Sequence, residues 1–392
     1  MRLAPSRLAI TGARVLLDAD AAEAGVVVEN GRIAALDAAA PAGARVLDAG
    51  GLILAPGIID LHGDAFERSV QPRPGVNLPL DLAVADADAQ AAAAGITTVF
   101  HGVTLSWEPG LRGAGMFTAL LDALDRLHPH ALVEHRIHIR MEAIAPDEAP
   151  LAVAAIDAGR AHMVAINDHT AAMTRKAIDP AGAYPYAKRA GVSGPQIVAL
   201  AERMLDRAAE GHAALARVLA AARDRGLPIA SHDDDSPETR AHWRAQGATI
   251  CEFPMNEATA GDARAHGESV VMGCPNVVRG GSHLGWHSAE AMVRAGLCDV
   301  LVSDYVWGAM APAAFALVGR GAASLPAAWA LVSANPARAA GLADRGRIAV
   351  GLRADLLLLD PAGPVPRVVA TFVVGQPRFL AAGAAARFAT AL

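Results

Sequence analysis

Eight short apolar runs, most closing on a polar or titratable cluster, constrain this chain more than any other feature. They lie at 58–64, 95–103, 133–143, 162–169, 227–235, 248–254, 269–276 and 299–305, with Ala-rich helical stretches between them. Short strands alternating with helices are the mark of parallel βα units. Eight such units predict a (β/α)8 barrel, in which the active site lies at the C-terminal ends of the strands. The stretch 192–226 reads as helical, with Ser193 and Gly194-Pro195 as its start and Gly226 as its stop.

The two ends have a different texture. Alternating apolar runs meet at Asn30-Gly31, a hairpin-turn pair, and again near Val374-Gly375-Gln376. This predicts one small β-sandwich built from both termini, 1–55 and 343–392, around a barrel spanning 56–342. A length of 392 residues with 53% hydrophobic content provides enough core for both.

A net charge of −6 argues against a general binder of nucleic acid or a membrane surface. No apolar run reaches the roughly 18 residues needed to span a bilayer. Cys251, Cys274 and Cys298 form neither disulfide nor zinc-ribbon spacing, so a reducing, cytoplasmic setting is expected. A homodimer is the default assembly. All but two of the 34 basic residues are arginine, the exceptions being Lys176 and Lys188, so an isolated arginine carries little weight here.

The chemistry sits at the strand ends. His62 and Asp64 are two residues apart on a strand and share a face. Imidazole beside carboxylate suits a divalent ion such as zinc or manganese. Glu142, Asn167-Asp168-His169, His232 with Asp233 to Asp235, Glu252 and Asp304 close other strands. Converging on one mouth, these carboxylates would repel one another unless a cation compensated them. His135 and His138, inside the third strand, are expected in hydrogen-bonded core roles. His101 is a weaker candidate, and His287 a contact for substrate. After the seventh strand, Arg279-Gly280-Gly281-Ser282-His283 could cradle phosphate through backbone N–H groups and a guanidinium fork. Arg68 and Arg73 could clamp further phosphates.

Several stretches carry a family likeness. Pro56-Gly57-Ile58-Ile59-Asp60-Leu61-His62, Asp304, Asn335-Pro336-Ala337 and Gly351-Leu352-Arg353-Ala354-Asp355-Leu356 together resemble the amidohydrolase superfamily, over nearly the whole chain. Asp64 stands where most members carry the second His of His-x-His. Three longer stretches, 62–76, 165–170 and 273–283, resemble its phosphonate-metabolism branch. The resemblance implies a barrel hydrolase acting on the triphosphate of a small ribosyl phosphonate, with release of diphosphate. It implies His62, Asp64, Glu142 and His232 as metal ligands, with Glu142 as a candidate bridge. Asp168, His169 and Glu252 are further ligands or groups behind them, and Asp304 is the proton acceptor. Zinc is the first expectation, with manganese or magnesium as alternatives. Cleavage of a cyclic amide or other C–N bond is the second reading of the same scaffold, and a non-catalytic barrel the third.

Overall fold

The structure, a computed structural model, describes residues 7–390 apart from 74, 178–179 and 282–286. Eight parallel strands pair in chain order: Ile58–Gly63, Ile96–Leu105, Glu134–Glu142, Met163–Asn167, Ile229–His232, Ile250–Glu252, Ser269–Gly273 and Val300–Val302. The eighth closes onto the first through its continuation. Asp304 N–H donates to the His62 carbonyl at 3.0 Å, and Asp64 N–H to the Asp304 carbonyl at 3.0 Å. The Ser303 backbone N–H and hydroxyl both donate to the buried Asp60 carboxylate, at 3.0 and 2.5 Å. The expected barrel is therefore present.

Strands covered on both faces must be apolar throughout. Their inward residues, among them Leu61, Phe100, Ala165, Ala230, Val271 and Val302, fill the barrel axis. Outward residues such as Ile137, Ile139 and Met141 pack beneath the helices. The seventh strand is shorter than the sequence suggests, because Cys274–Arg279 turns into a helix. The helical stretch after 192 is two helices, Gly194–Asp206 and Ala208–Asp224. Ser193 caps the first in a reciprocal capping box with Gln196. Arg207 interrupts them with non-helical backbone while its guanidinium bonds Asp147 and Glu210.

Both termini feed one mixed sheet, nine-stranded among the described residues. Asn30 and Gly31 both have positive φ, 52° and 77°, as a tight hairpin turn requires. Val374 and Gly375 do the same from the other end of the chain, at 52° and 70°. The two turns abut so closely that a Cβ on Gly31 would meet Val374 Cγ1 at 2.4 Å. Asp355 accepts the Val374 N–H at 2.8 Å and the Arg353 Nε–H at 2.9 Å, so the Arg-Ala-Asp stretch is a clamp within this sheet. Arg353 and Arg345 then reach Glu134 at the base of the third barrel strand and fasten the sheet to the barrel.

Candidate active site

The third strand sends His138, Arg140 and Glu142 inward by simple alternation, opposite the outward Ile137, Ile139 and Met141. The first strand does not alternate simply. Strict period two would leave His62 on the outer face with Ile58. A register irregularity between Asp60 and Gly63 re-aims it into the barrel mouth. There its ring packs on His138, His232 and Phe253, with centroids 5.2–5.3 Å apart. Asp233, Phe253 and Asp304, which follow the fifth, sixth and eighth strands, all have φ of 53–60°. Such backbone is costly for residues other than glycine and gathers at functional sites.

Glu252 is the hub. It is fully buried, and its Oε2 lies 3.1 Å from His62 Nδ1 and 3.4 Å from His232 Nδ1. Burial pushes its carboxyl upward, but the histidines around it prevail and hold it well below the usual carboxylate range. An ionised carboxylate only accepts, so both imidazoles carry their proton on Nδ1 and turn the Nε2 lone pair the other way. Burial lowers His62 to about 4, so its ring is neutral near pH 7. His138 has the same tautomer. Its Nδ1–H donates to the Leu61 carbonyl at 3.0 Å, and its buried Nε2 has no hydrogen-bond partner.

Arg140 crosses this group. One Nη donates to Asp64 Oδ2 at 3.4 Å and the other to His232 Nε2 at 3.2 Å. Sequence reasoning missed it, although its place two residues before Glu142 on an inward face was readable. Asp304 lines the same pocket, together with Asn276, Tyr305 and His287. Burial, reinforced by the nearby Asp64, pushes its carboxyl up to about 7. Asp60, behind it, is raised to about 6 by burial.

Glu142 does something else. Its Oε1 accepts the N–H groups of His169 and Thr170, both at 2.9 Å, and the Thr170 hydroxyl at 2.7 Å. It thus caps the helix Thr170–Ala177 with one oxygen, while its Oε2 lies 3.7 Å from His169 Nδ1. His169 reaches Asp233 at 3.4 Å and stands edge-on to His232. Asp168 is exposed. His135 has the core role expected of it. It links His101, at 2.7 Å, to the buried Asp88, at 3.0 Å. The two groupings suited to a metal ion among the described residues are His62 with His232 and Glu252, and His169 with His232 and Asp233.

No family model matches the chain. It is 32% identical over 358 residues to the alpha-D-ribose 1-methylphosphonate 5-triphosphate diphosphatase of Escherichia coli (strain K12), covering 89% of this chain and 94% of that protein. The chain belongs to this diphosphatase family. Its fold is that of the amidohydrolases. D-hydantoinase from a Bacillus sp. AR9 superposes with a TM-score of 0.64 at 14% identity, over 98% of this chain and 97% of that one. Dihydropyrimidinase from Brevibacillus agri NCHU1002 gives 0.56 at 15%, over 95% and 94%. Molinate hydrolase gives 0.62 at 16%, over 96% and 95%.

As a member of the diphosphatase family the protein is a hydrolase. The residues expected to meet phosphate are unevenly placed in it. Arg68 binds the Tyr305 carbonyl at the pocket rim. Arg73 is exposed, in a backbone bridge with Val76. Arg279 is exposed at the end of the helix Cys274–Arg279. Gly280, at φ 82°, ends that helix; its N–H goes to Val277 and that of Gly281 to Asn276. In this structure those two N–H groups terminate a helix. Ser282 and His283 lie outside the described residues. All three cysteines are buried and free. Among the described residues no helix is long and apolar enough to cross a membrane.

Proposed function

We propose that this hydrolase cleaves the triphosphate of a ribose 1-(alkyl)phosphonate 5-triphosphate, releasing diphosphate and leaving the ribose 1-phosphonate 5-phosphate. The observation that carries this reading is the kinship with the Escherichia coli diphosphatase, which extends over 94% of that protein. The pocket has the chemistry such a reaction needs.

The donor set fits a divalent metal. His62 and His232 are held in the tautomer that frees Nε2, with His62 neutral near pH 7. Asp64 is linked to His232 through Arg140, which bonds its Oδ2 and the His232 Nε2. His62, His232 and Asp64 would hold the ion, zinc first and manganese or magnesium as alternatives, and Glu252 would orient the two rings. Glu142, engaged with a helix terminus, is left out of this set. When bound, such an ion acidifies water and draws charge from phosphoryl oxygens.

Asp304 accepts the proton of the water that attacks the phosphorus nearest the sugar, in line with the departing diphosphate. A carboxyl raised toward neutrality is matched to that task. Arg68, bonded to the carbonyl of the pocket residue Tyr305, would meet the outer phosphates. The test is a substrate panel with the purified, metal-supplemented protein. Diphosphate release from the ribosyl phosphonate triphosphate is expected. Turnover of cyclic amides without diphosphate release would overturn the reading.

A further inference from the structure

Arg140 has an unusual position for a buried arginine. It is 6% exposed, yet its two hydrogen bonds are long, and its Nε–H has no partner. A guanidinium has five donors, and a buried one ordinarily uses most of them. Compare Arg240, completely buried, which reaches Ser231, Asp234, Ala248 and Glu268. Arg140 is also the one arginine lining the pocket among the described residues.

Its partners are the telling part. Because Glu252 takes the Nδ1 proton of His232, the Nε2 lone pair is the only site on that ring able to accept from Arg140. A metal ion held by His232 would need the same lone pair, and it would need the same Asp64 carboxylate. One lone pair cannot serve both. The two cations therefore exclude each other at His232.

We infer that Arg140 is the internal occupant of the metal position, holding Asp64 and His232 together in the metal-free chain and transferring to the substrate's phosphate oxygens when metal enters. This rests on the metal-held reading given above. The displaced guanidinium must stay in a small mouth beside a dication, which is unfavourable without a new anion. A phosphate suits it best, since the planar fork matches two phosphate oxygens. The side chain lines the pocket itself. Gly102 lies flush against the side chain, and a Cβ there would press on Arg140 Cδ at 3.2 Å. Metal and phosphate should therefore bind cooperatively, each releasing what the other needs.

The experiment uses the full chain stripped of metal, with zinc affinity measured by chelator competition and phosphate affinity measured on the zinc-loaded protein. Arg140→Met removes the competing cation and should bind zinc at least about tenfold more tightly than wild type, while inorganic phosphate binding weakens about tenfold. Unchanged or weaker zinc binding by a variant that still melts cooperatively would overturn the inference. If the methionine variant does not fold, Arg140→Lys takes its place. It keeps the charge but cannot bridge both partners, and it should bind zinc more tightly than wild type; wild-type zinc affinity would count against occupancy. A crystal structure of the zinc-loaded wild type is the second readout. Arg140 should have left His232 Nε2, and a guanidinium still bonded there would overturn the inference. Failure of the wild type to bind any metal would instead overturn the reading on which it rests.

Discussion

The two ends of the barrel both hold charged groups away from water, and they treat them in opposite ways. At the base, Glu134 receives Arg345 at 2.6 Å, Arg136 at 2.7 Å and Arg353, three guanidiniums on one carboxylate. They outweigh the cost of its burial and lower its pKa to about 2. At the mouth, Asp304 is pushed up to about 7 and Asp60 to about 6, and Arg140 is left with long bonds and an idle donor. Saturated charges fasten the terminal sheet to the barrel. Under-satisfied charges are those that can still respond to a ligand or a proton. The difference is what singles out the mouth as the candidate site.

The sharpest way to break this comparison is Asp304→Asn. Turnover should fall by on the order of 10²–10⁴-fold, the usual worth of a general base. The same change should stabilise the metal-free protein. The folded pKa of Asp304 lies above its unfolded value, so the ionised form costs stability as pH rises from about 4 through 7. Above pH 7 the Asn variant should melt higher than wild type. An active variant, or one that melts lower throughout, would contradict the assignment.

At the base the expectation reverses. Glu134→Gln should cost about 2–3 kcal/mol near pH 7, discounted for the partial exposure of the carboxylate, and leave kcat unchanged. Urea titration reads the first and steady-state kinetics the second. The sign with pH follows from a depressed pKa. The stabilisation is complete above about 4.5 and is lost as pH falls toward 2, so the gap between wild type and variant should close over that range. The smallest effect is expected from Gly102→Ala, whose Cβ would press on Arg140 Cδ at 3.2 Å and lie in ordinary contact with the His62 ring at 3.6 Å. KM should rise a few-fold with kcat nearly constant, and a normal KM would show that Arg140 moves freely past it.

Much of the fold was readable in advance because its signals are local. Asn30-Gly31 can adopt positive φ wherever it occurs, and the capping box of Ser193 and Gln196 depends on four consecutive residues. The alternation of apolar strands and helices likewise needs no distant partner. The site was readable only in part. His62, Asp64, His232 and Asp304 stand out in sequence because they lie at strand ends, and the structure brings His62, His232 and Asp304 to one pocket with Asp64 bonded to its Arg140. Glu142 and Glu252 look alike in sequence, each a glutamate closing a barrel strand.

Their neighbours separated them. The helix that starts at Thr170 presents N–H groups to Glu142, whereas the rings of His62 and His232, 190 and 20 residues away, converge on Glu252. The turn of His62 into the mouth depends on a register shift against the second strand, and the role of Arg140 on two partners 76 and 92 residues distant. Sequence by itself determined where strands end and which turns can form, since backbone preference and side-chain period act over a few residues. Only tertiary structure decided which charge meets which, because hydrogen bonds and burial depend on atoms the chain brings together by folding.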